Sequence, residues 1–573
     1  MPLIFGAKIF TMKNDILRFE ETEAGLTVFY RNCYLYSHRT PPTLPRKMVE
    51  QANLSPHTLI FIPSFGLGYG LPELLEKLPP HCHILCVEED ELLLTACLEK
   101  IGKPKWLRDK RLSLYRSCSK STISDFFAKQ PVSQFRHFLT IILCQAYRLA
   151  EEFYQQLAEG LENEIRHYWQ NKLTLIYLGQ RYVCNIFANL PLLARASDLS
   201  ELIISRPLLV CGAGPGLEKS IHLIKVFRKS IYLFAVDTAL PVLTAAGLVP
   251  DLVFVLEPQW HNLADFLSTS NLDFKLVADL ASAPQVLRLG VYRKNLKPYL
   301  FSSEFARLSL FARLRQAGLL PFSLPPLGSV GVAAVYASRQ LYQGPIFLAG
   351  LDFSYPSKLS HARGSAFHIS ELKAGSRFCP VGQNLFRYLL KRELRKTRDK
   401  QGQPLLTDVV LAGYAENLRA FCAKDKLIFD LNPSGLALTP QLLSSAQELE
   451  ERLTQAKEIS ATTTEARPTP LDPDVSLRLK SFLQNERELL KEASLIITSF
   501  ISKQRLAEIG QTPLELPPEL RNSLSAVDYC ICHLPFDLAC GKLSLSEVAH
   551  ASYFISLFNN KIEELLARLS KSD

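Results

Sequence analysis

A glycine-rich turn between an apolar run and a helix-compatible stretch has the residue types of an anion-binding site. Residues 208–217 read Leu-Leu-Val-Cys-Gly-Ala-Gly-Pro-Gly-Leu. The apolar run predicts a buried strand, and a helix can follow the turn. Glycines let the backbone approach an anion closely, and the free amides of a helix N-terminus point at it. The pattern predicts a phosphate site, and the alternative is a tight strand-to-helix turn without a ligand.

Polar side chains also follow three later apolar runs. Asp237 and Thr238 follow residues 234–236, Glu257 follows residues 252–256, and Asp352 comes just after residues 346–350. Open α/β sheets bind ligands beyond the carboxyl ends of their strands. These side chains are therefore expected at the binding edge of a single sheet.

A second possible anion site lies at Gly328-Ser329. The proline-rich segment 321–326 is a rigid, extended loop that leads into these residues, and a helix is expected to continue to Leu341. A glycine and a serine at a helix start offer backbone amides and one hydroxyl to an oxyanion. The alternative is that Ser329 only caps the helix, which would stabilise it by about 1 kcal/mol.

Another glycine turn lies nearer the N-terminus. Residues 66–70 read Gly-Leu-Gly-Tyr-Gly after a predicted strand at 58–62, and Glu88 follows a second strand at 83–87. This is the layout of a nucleotide site in which an acid holds ribose hydroxyls. The alternative, which we favour, is a Rossmann-like accessory domain without a ligand.

Composition limits the class of protein. The chain has 573 residues, 47% apolar and 21% charged, which predicts a globular protein of several domains. Its net charge of +9 is modest for this length, so no nucleic acid partner is expected. We find no signal peptide and no apolar span of membrane length. Thirteen scattered cysteines are typical of a reducing cytoplasm, and Cys530 and Cys532 are expected in the core.

The order of the patterns predicts an α/β fold with four parts. We expect a smaller Rossmann-like α/β domain over residues 1–145, a helical connector over 146–205, a central Rossmann-like domain over 206–437, and a helical C-terminal domain over 438–573.

Taken in order, the central motifs resemble the Maf family, the bacterial motility accessory factors that carry a DUF115-type domain. The resemblance rests on residues 212–216, 237–240, 247–251, 328–330, 350–353 and 361–362. It implies a central domain of the sialyltransferase type. It also implies transfer of a nonulosonic, sialic-acid-like sugar from a CMP-activated donor to Ser or Thr of flagellin. The chain departs from the sialyltransferase pattern at Ala213 (usually Asn), Gly216 (usually Ser) and Glu257 (commonly Asp).

The resemblance also implies roles for particular residues. The phosphate or nucleotide would be bound by Gly212, Gly214, Pro215, Gly216, Asp237, Thr238, Gly328 and Ser329. Glu257 and Tyr355 would contact the substrate. Asp352 and His361 would be catalytic, with His361 as the base and His368 as a second candidate. The expected partners are flagellin and the nucleotide-sugar donor. No cofactor is firmly implied, although Mg²⁺ is possible.

Two other functions fit the same domain type. It also resembles archaeal 6-hydroxymethylpterin diphosphokinases, in which Asp237, Glu257 and Asp352 would help to hold Mg²⁺ during ATP-dependent diphosphate transfer. The chain is much longer than such an enzyme needs. The third possibility is a non-catalytic, flagellin-binding assembly factor, since a fold does not determine a function.

Overall fold

The structure is a computed structural model that describes residues 10–12, 15–116, 121–269, 273–294, 298–443, 445–460, 474–504, 514–535, 538 and 541–570. The chain forms two compact units. The first comprises Met1–Leu175 with Leu514–Leu516 and Pro535–Leu543, and the second comprises Ile176–Pro513 with Pro517–Leu534 and Ser544–Asp573. The division into four parts stays a prediction, because compactness separates the chain only into these two units.

Among the described residues, the first unit contains two four-stranded sheets and a short two-stranded one. An antiparallel sheet has strands β1 (Phe10–Met12), β2 (Asp15–Thr22), β3 (Gly25–Tyr30) and β4 (Cys33–Tyr34). After α1 (Thr43–Gln51) comes a parallel α/β unit of β5 (Thr58–Pro63), α2 (Leu71–Lys77), β6 (His83–Glu88), α3 (Glu91–Ile101), β7 (Leu112–Arg116), α4 (Ser121–Lys129) and β8 (His137–Thr140). Its strand order is β7-β6-β5-β8. Strands β5 and β6 are buried throughout, which explains their continuous apolar sequences.

Helix α5 (Glu151–Asn189) begins in the first unit and ends in the second. The second unit then alternates strands and helices: β9 (Ser197–Asp198), β10 (Leu208–Cys211), α6 (Gly216–Phe227), β11 (Tyr232–Val236), α7 (Leu240–Ala245), β12 (Leu252–Val255), β13 (Lys275–Asp279), α8 (Pro284–Lys294), β14 (Tyr299–Ser302), α9 (Ser309–Gln316), β15 (Phe322–Ser323), α10 (Val330–Leu341) and β16 (Ile346–Ala349). It continues with α11 (Ala366–Ala374), α12 (Val381–Leu390), β17 (Leu394–Arg398), β18 (Pro404–Asp408), α13 (Val409–Cys422) and β19 (Ile428–Asp430).

The central sheet has nine strands. Its order is β15-β14-β13-β12-β11-β10-β16-β19, and β9 also pairs with β14. All of these pairings are parallel. The chain steps outwards from β10 to β15 on one side and then crosses to β16 on the other side of β10. This topological switch point is where such sheets form their ligand crevice. The predicted α/β class with a Rossmann-like central domain is confirmed.

In the sequence, five α-helices of the described residues follow the central sheet: α14 (Ala446–Ser460), α15 (Val475–Gln504), α16 (Pro518–Ala526), α17 (Asp528–Ile531) and α18 (Leu545–Leu569). The short strands β20 (Leu514–Glu515) and β21 (Lys542–Leu543) pair with each other and belong to the first unit. Within the second unit these helices are tied to α9 by polar contacts. The Arg313 guanidinium lies 2.5 Å from the carboxylate of Glu486, which also accepts a hydrogen bond from Tyr529 Oη at 2.9 Å. Ser309 Oγ donates to Asp528 Oδ1 at 2.7 Å.

Candidate active site

The central glycine turn packs directly against the loop that follows β16. Gly212 N donates to Ala349 O and Gly214 N donates to Gly350 O, each at 2.8 Å. A Cβ placed on Gly214 would lie 2.1 Å from Asp352 Oδ2, and one on Gly212 would lie 2.5 Å from Gly350 O. The glycines therefore permit close backbone approach, but what approaches here is the protein's own chain.

Asp352 occupies the N-terminus of α6. Its Oδ2 accepts a hydrogen bond from Gly216 N at 2.8 Å, and its Oδ1 accepts one from Asn432 Nδ2 at 2.9 Å. The side chain is only 2% exposed, and burial raises its pKa to about 6. Pro215 in the same turn is also buried. The helix start that the sequence assigns to phosphate thus already binds a carboxylate, which satisfies part of the positive end of the helix dipole.

The start of α10 is different. Ser329 is the N-cap residue, yet its side chain makes no capping hydrogen bond. Ser329 is half-buried and Gly328 is exposed, with φ of 71°. The Tyr414 ring lies beside Gly328, at 3.0 Å from the position that a Cβ would take. The capping alternative for Ser329 is therefore not what the structure shows, and the hydroxyl remains free to meet an anion.

An acidic cluster, which we define as Asp237, Glu257 and Asp265, lies near the ends of β11 and β12. Asp237 accepts hydrogen bonds from Thr238 N at 2.8 Å and from Asn262 Nδ2 at 2.9 Å. Burial raises the pKa of Asp237 to about 6. Burial, with the negative charges of Asp237 and Glu257, raises the pKa of Asp265 to about 7. Among the described residues, Asp265 Oδ1 and Asn262 Oδ1 are buried without a hydrogen-bond partner.

Two tyrosines connect this edge of the sheet with the start of α10. Burial raises the pKa of Tyr182, and the charges of Glu257 and Asp279 raise it further, so the phenol lies within their field. The Tyr182 ring also stacks on Phe305, with ring centres 4.5 Å apart. Tyr414, which lies against Gly328, also raises the pKa of Tyr182. The acidic cluster, Tyr182 and Tyr414 therefore form one group of polar and aromatic side chains near the carboxyl edge of the sheet.

Sequence reasoning missed several residues near this edge of the sheet. Asn262 and Asp265 lie in an irregular 3₁₀ segment, Trp260–Thr269, which has no motif to mark it. Asn185 and Asn189 lie on α5, within the predicted helical connector, to which the sequence assigns no functional residue. Asn185 Nδ2 donates to Pro258 O and Ala281 O, each at 2.9 Å. Asn185 and Asn189 are four residues apart, which puts both amides on one helix face. This spacing is the feature of the sequence that could have identified them as a pair.

Asn189 Nδ2 makes the matching pair of bonds, to Leu280 O and Ser282 O, each at 2.9 Å. The two asparagines on α5 therefore hold the loops that follow β12 and β13. These loops carry Glu257 and position Asp279, whose carboxylate accepts hydrogen bonds from Ala281 N and Ser303 N.

The predicted residues beyond β16 lie in two different environments. His361 is half-buried beside the glycine turn, since its neighbour Ala362 donates through its backbone amide to Ala213 O at 2.8 Å. Burial, together with the charge of Arg392, lowers the pKa of His361 to about 4, so the ring is neutral near pH 7. His368 Nδ1 accepts a hydrogen bond from Gly364 N. Tyr355, which the resemblance assigns to substrate contact, is only 3% exposed.

Tyr355 is held in the interior by Asp408. Its phenol donates to Asp408 Oδ2 at 2.5 Å, and Asp408 Oδ1 caps α13 by accepting from Leu411 N. Tyr355 thus packs the segment between β16 and α13 and is covered by protein.

The N-terminal glycine turn is filled by protein groups. Glu88 Oε2 accepts from Ser64 Oγ at 2.7 Å and from Phe65 N at 2.9 Å. Tyr36 Oη accepts from Leu67 N, and it would lie 2.2 Å from a Cβ on Gly66. The acid and the turn amides that a nucleotide would need are engaged, which favours the accessory-domain alternative.

Within the described ranges, no group of three or more His, Cys, Asp or Glu residues is arranged to hold a metal ion. Both carboxylate oxygens of Asp352 accept hydrogen bonds, from Gly216 N and Asn432 Nδ2, so this member of the predicted Mg²⁺ set already has protein partners. Cys530 and Cys532 are buried, and the described cysteines form no disulfide. No described helix is both long and apolar enough to cross a membrane.

Comparisons with known proteins agree with this architecture. The family model described as 6-hydroxymethylpterin diphosphokinase MptE-like matches residues 184–358. An uncharacterized protein of Treponema pallidum (strain Nichols) is 31% identical over 446 residues, which is 76% of this chain and 75% of that protein. The chain belongs to the MptE-like (DUF115) family. A second uncharacterized Treponema pallidum protein is 26% identical over 218 residues, covering 33% of this chain and 55% of that one.

A solved structure extends the likeness beyond the MptE-like domain. The Maf glycosyltransferase from Magnetospirillum magneticum AMB-1 matches 98% of this chain and 92% of its own, with a TM-score of 0.53 at 15% sequence identity. This MptE-like protein therefore shares the Maf fold along nearly its whole length, as the order of its motifs predicts.

Proposed function

We propose that this MptE-like protein is a cytoplasmic glycosyltransferase that moves a nonulosonic sugar from a CMP-activated donor to Ser or Thr of flagellin. The observation that carries the proposal is the uncapped start of α10. Gly328 is exposed, Ser329 has no capping bond, and the Tyr414 ring lies beside Gly328. The Maf glycosyltransferase fold supports the reaction class, and the Maf-like motifs motivate the donor and the acceptor.

The donor phosphate would lie at the start of α10. Backbone amides and the positive end of the helix dipole stabilise an anion there, and Ser329 Oγ adds a hydrogen-bond donor. In the transfer step the bond between the sugar and the phosphate breaks, so negative charge develops on the departing CMP. Donors fixed at that position stabilise this charge in the transition state.

The other side chains would hold the base and the sugar. We propose that the aromatic rings of Tyr182, Phe305 and Tyr414 pack against the base of the nucleotide. Asp237, Thr238 and Glu257 offer oxygens to sugar hydroxyls. We propose that Asp352 acts on the reaction indirectly, by capping α6 and fixing the glycine turn against β16.

A base must accept the proton of the acceptor hydroxyl. His361 is neutral at pH 7 and can accept one, but its pKa of about 4 makes it a weak base. The acidic cluster offers carboxyls with pKa values of about 6 and 7. A pH–rate profile separates the two. Activity that rises with a midpoint near pH 4 assigns the base to His361, and a midpoint between pH 6 and 7 assigns it to the cluster.

Two measurements test the proposed function. In calorimetry with CMP or ATP, each with and without Mg²⁺, we expect CMP to bind and Ser329→Ala to weaken that binding. In cells that make a CMP-nonulosonate, co-expression with flagellin should add the mass of the sugar to intact flagellin. A folded protein that binds no CMP and leaves the flagellin mass unchanged would refute the proposal.

The second candidate is diphosphate transfer from ATP to a hydroxymethylpterin. The family model that covers the switch-point strands, residues 184–358, favours it. Asp265 Oδ1 and Asn262 Oδ1, which are buried without a hydrogen-bond partner, would then help to hold Mg²⁺. The ion would supply positive charge to neutralise the phosphates, and it usually takes only one or two carboxylates from a protein. Tighter binding of Mg-ATP than of CMP, with diphosphate transfer to the pterin, would establish this activity. Absence of binding by any nucleotide would favour a non-catalytic assembly factor.

A further inference from the structure

One continuous segment of the chain combines exposed apolar side chains with concentrated positive charge. We define it as the basic surface, residues 369–398, which comprises most of α11, all of α12, the turn between them and β17. Five large apolar side chains in it are at least 40% exposed: Ile369, Leu372, Phe378, Phe386 and Leu390.

The turn between α11 and α12 is tightly built. Ser376 N donates to Cys379 O at 2.9 Å and Cys379 N donates to Ser376 O at 3.1 Å, so Arg377 and Phe378 are the two central residues of a hairpin-like turn. Cys379 Sγ also donates to Asn384 Oδ1 at 2.9 Å, which ties the turn to α12. This arrangement projects a phenylalanine that is 91% exposed, the highest exposure among the large apolar side chains of the described residues.

Helix α12 continues the same surface. Phe386 and Leu390 are 57% and 63% exposed and lie four residues apart on one face, whereas Leu389 is buried. Arg387 and Lys391 follow them one position further along the helix, and both are exposed. The outward face of the helix is therefore apolar with a basic border.

Charge is concentrated on this surface. Residues 369–398 contain eight basic side chains (Lys373, Arg377, Arg387, Lys391, Arg392, Arg395, Lys396 and Arg398) and two acidic ones (Glu371 and Glu393), a net charge of +6. The whole chain of 573 residues has a net charge of +9. An occupant with complementary charge must therefore be anionic, and it must also accept a protruding aromatic ring.

We propose that the basic surface docks on an anionic lipid bilayer. Basic residues are attracted to an anionic leaflet, and apolar side chains of an amphipathic helix enter the boundary between headgroups and acyl chains. A bilayer accommodates a projecting phenylalanine without a preformed pocket, whereas an acidic protein would need a cavity that fits Phe378. The docking is peripheral and does not depend on the proposed transferase activity.

Vesicle sedimentation of the full chain tests this proposal. We expect the protein to sediment with vesicles of phosphatidylcholine plus phosphatidylglycerol, to stay in solution with phosphatidylcholine alone, and to be released by salt. Phe378→Ala and Lys391→Glu should each weaken vesicle binding by roughly tenfold. Both side chains are exposed, so circular dichroism should be unchanged. The matched control is Leu495→Ala, which removes a 73% exposed leucine from α15 and should leave binding unchanged.

Three results would overturn the proposal: equal binding to neutral and anionic vesicles, full binding by folded Phe378→Ala, or no binding to either vesicle. Soluble poly-glutamate serves as the competing probe. If it binds the basic surface while anionic vesicles do not, the surface recognises an acidic protein and the lipid proposal is wrong.

Discussion

Two helix starts that look alike in sequence differ at the level of single residues. At α6 the anion position is filled by the carboxylate of Asp352, which accepts a hydrogen bond from Gly216 N. At α10 the N-cap residue Ser329 leaves its hydroxyl uncommitted. An anionic ligand would have to displace a buried carboxylate at α6, whereas α10 already presents a free donor. This difference favours α10 over α6 as the place where the donor phosphate of the proposed reaction would bind.

Ser329→Ala should separate binding from stability. Because Ser329 makes no capping bond, we expect its loss to change the free energy of unfolding by less than about 0.5 kcal/mol. Loss of a hydrogen bond to a charged phosphate costs on the order of 1.5–3 kcal/mol, so CMP affinity and sugar transfer should fall roughly ten- to a hundredfold. Thermal melting and calorimetry measure the two effects.

The matched control is Ser544→Ala, where the hydroxyl does accept a capping hydrogen bond, from Glu547 N. That variant should lose about 1 kcal/mol of stability and keep its CMP affinity. If Ser329→Ala behaves like Ser544→Ala, losing stability while retaining affinity, the phosphate does not lie at α10.

The acidic cluster should make stability depend on pH. The folded-state pKa of Asp265, about 7, lies above the value of about 3.9 for a free aspartate, so the folded protein binds the extra proton between these values. Stability from this group therefore falls as pH rises from about 4 to about 7, because the folded protein must give up this proton and leave a buried carboxylate beside Asp237 and Glu257. Asp265→Asn removes that charge.

We expect the stability advantage of Asp265→Asn over wild type to be larger at pH 8 than at pH 5, by on the order of 1–3 kcal/mol. Urea unfolding at the two pH values gives the comparison. A stability difference that is the same at both pH values would show that Asp265 does not titrate in this range.

At the scale of elements, the central glycine turn is a packing joint between β10, α6 and the loop after β16. Gly214→Ala would place a Cβ 2.1 Å from Asp352 Oδ2, so we expect it to destabilise the protein by about 1–3 kcal/mol. The control is Gly413→Ala in α13, where a Cβ meets nothing within 4 Å and replacement of a helical glycine should stabilise by about 0.5–1 kcal/mol. Denaturant melts of both variants measure the difference, and a neutral Gly214→Ala would contradict the packing role.

At the scale of the whole molecule, Glu486 joins the C-terminal helices to α9. It is 1% exposed and pairs with Arg313 and Tyr529. Glu486→Ala leaves Arg313 as a partly buried cation without its carboxylate, so a loss of roughly 3–5 kcal/mol is expected. Glu488→Ala, at an exposed position two residues away, should leave the unfolding midpoint nearly unchanged. Equal unfolding midpoints for the two variants would show that the pair does not hold these helices.

The fold was largely readable from local pattern. Every residue of β10, β11, β12 and β16 is buried. Each strand therefore appears in the sequence as an uninterrupted apolar run, without the alternation of polar and apolar residues found in half-exposed strands. Glycine turns then mark the strand ends, and their order along the chain resembles one family. The sequence by itself determined the strand positions and the family resemblance, because apolar runs and glycine turns are patterns of residues that are close together in the chain.

Which turn can bind a ligand was decided by tertiary structure. Asp352 lies 136 residues from Gly216 and meets it only because the strand order places β16 beside β10. Asp265 likewise joins Asp237 from an irregular segment, and Tyr182 reaches the same edge from α5. Such contacts depend on which strands are neighbours, and no local pattern records that order. The sequence therefore identified two helix starts as equivalent anion sites, and only the fold showed that one of them is already filled.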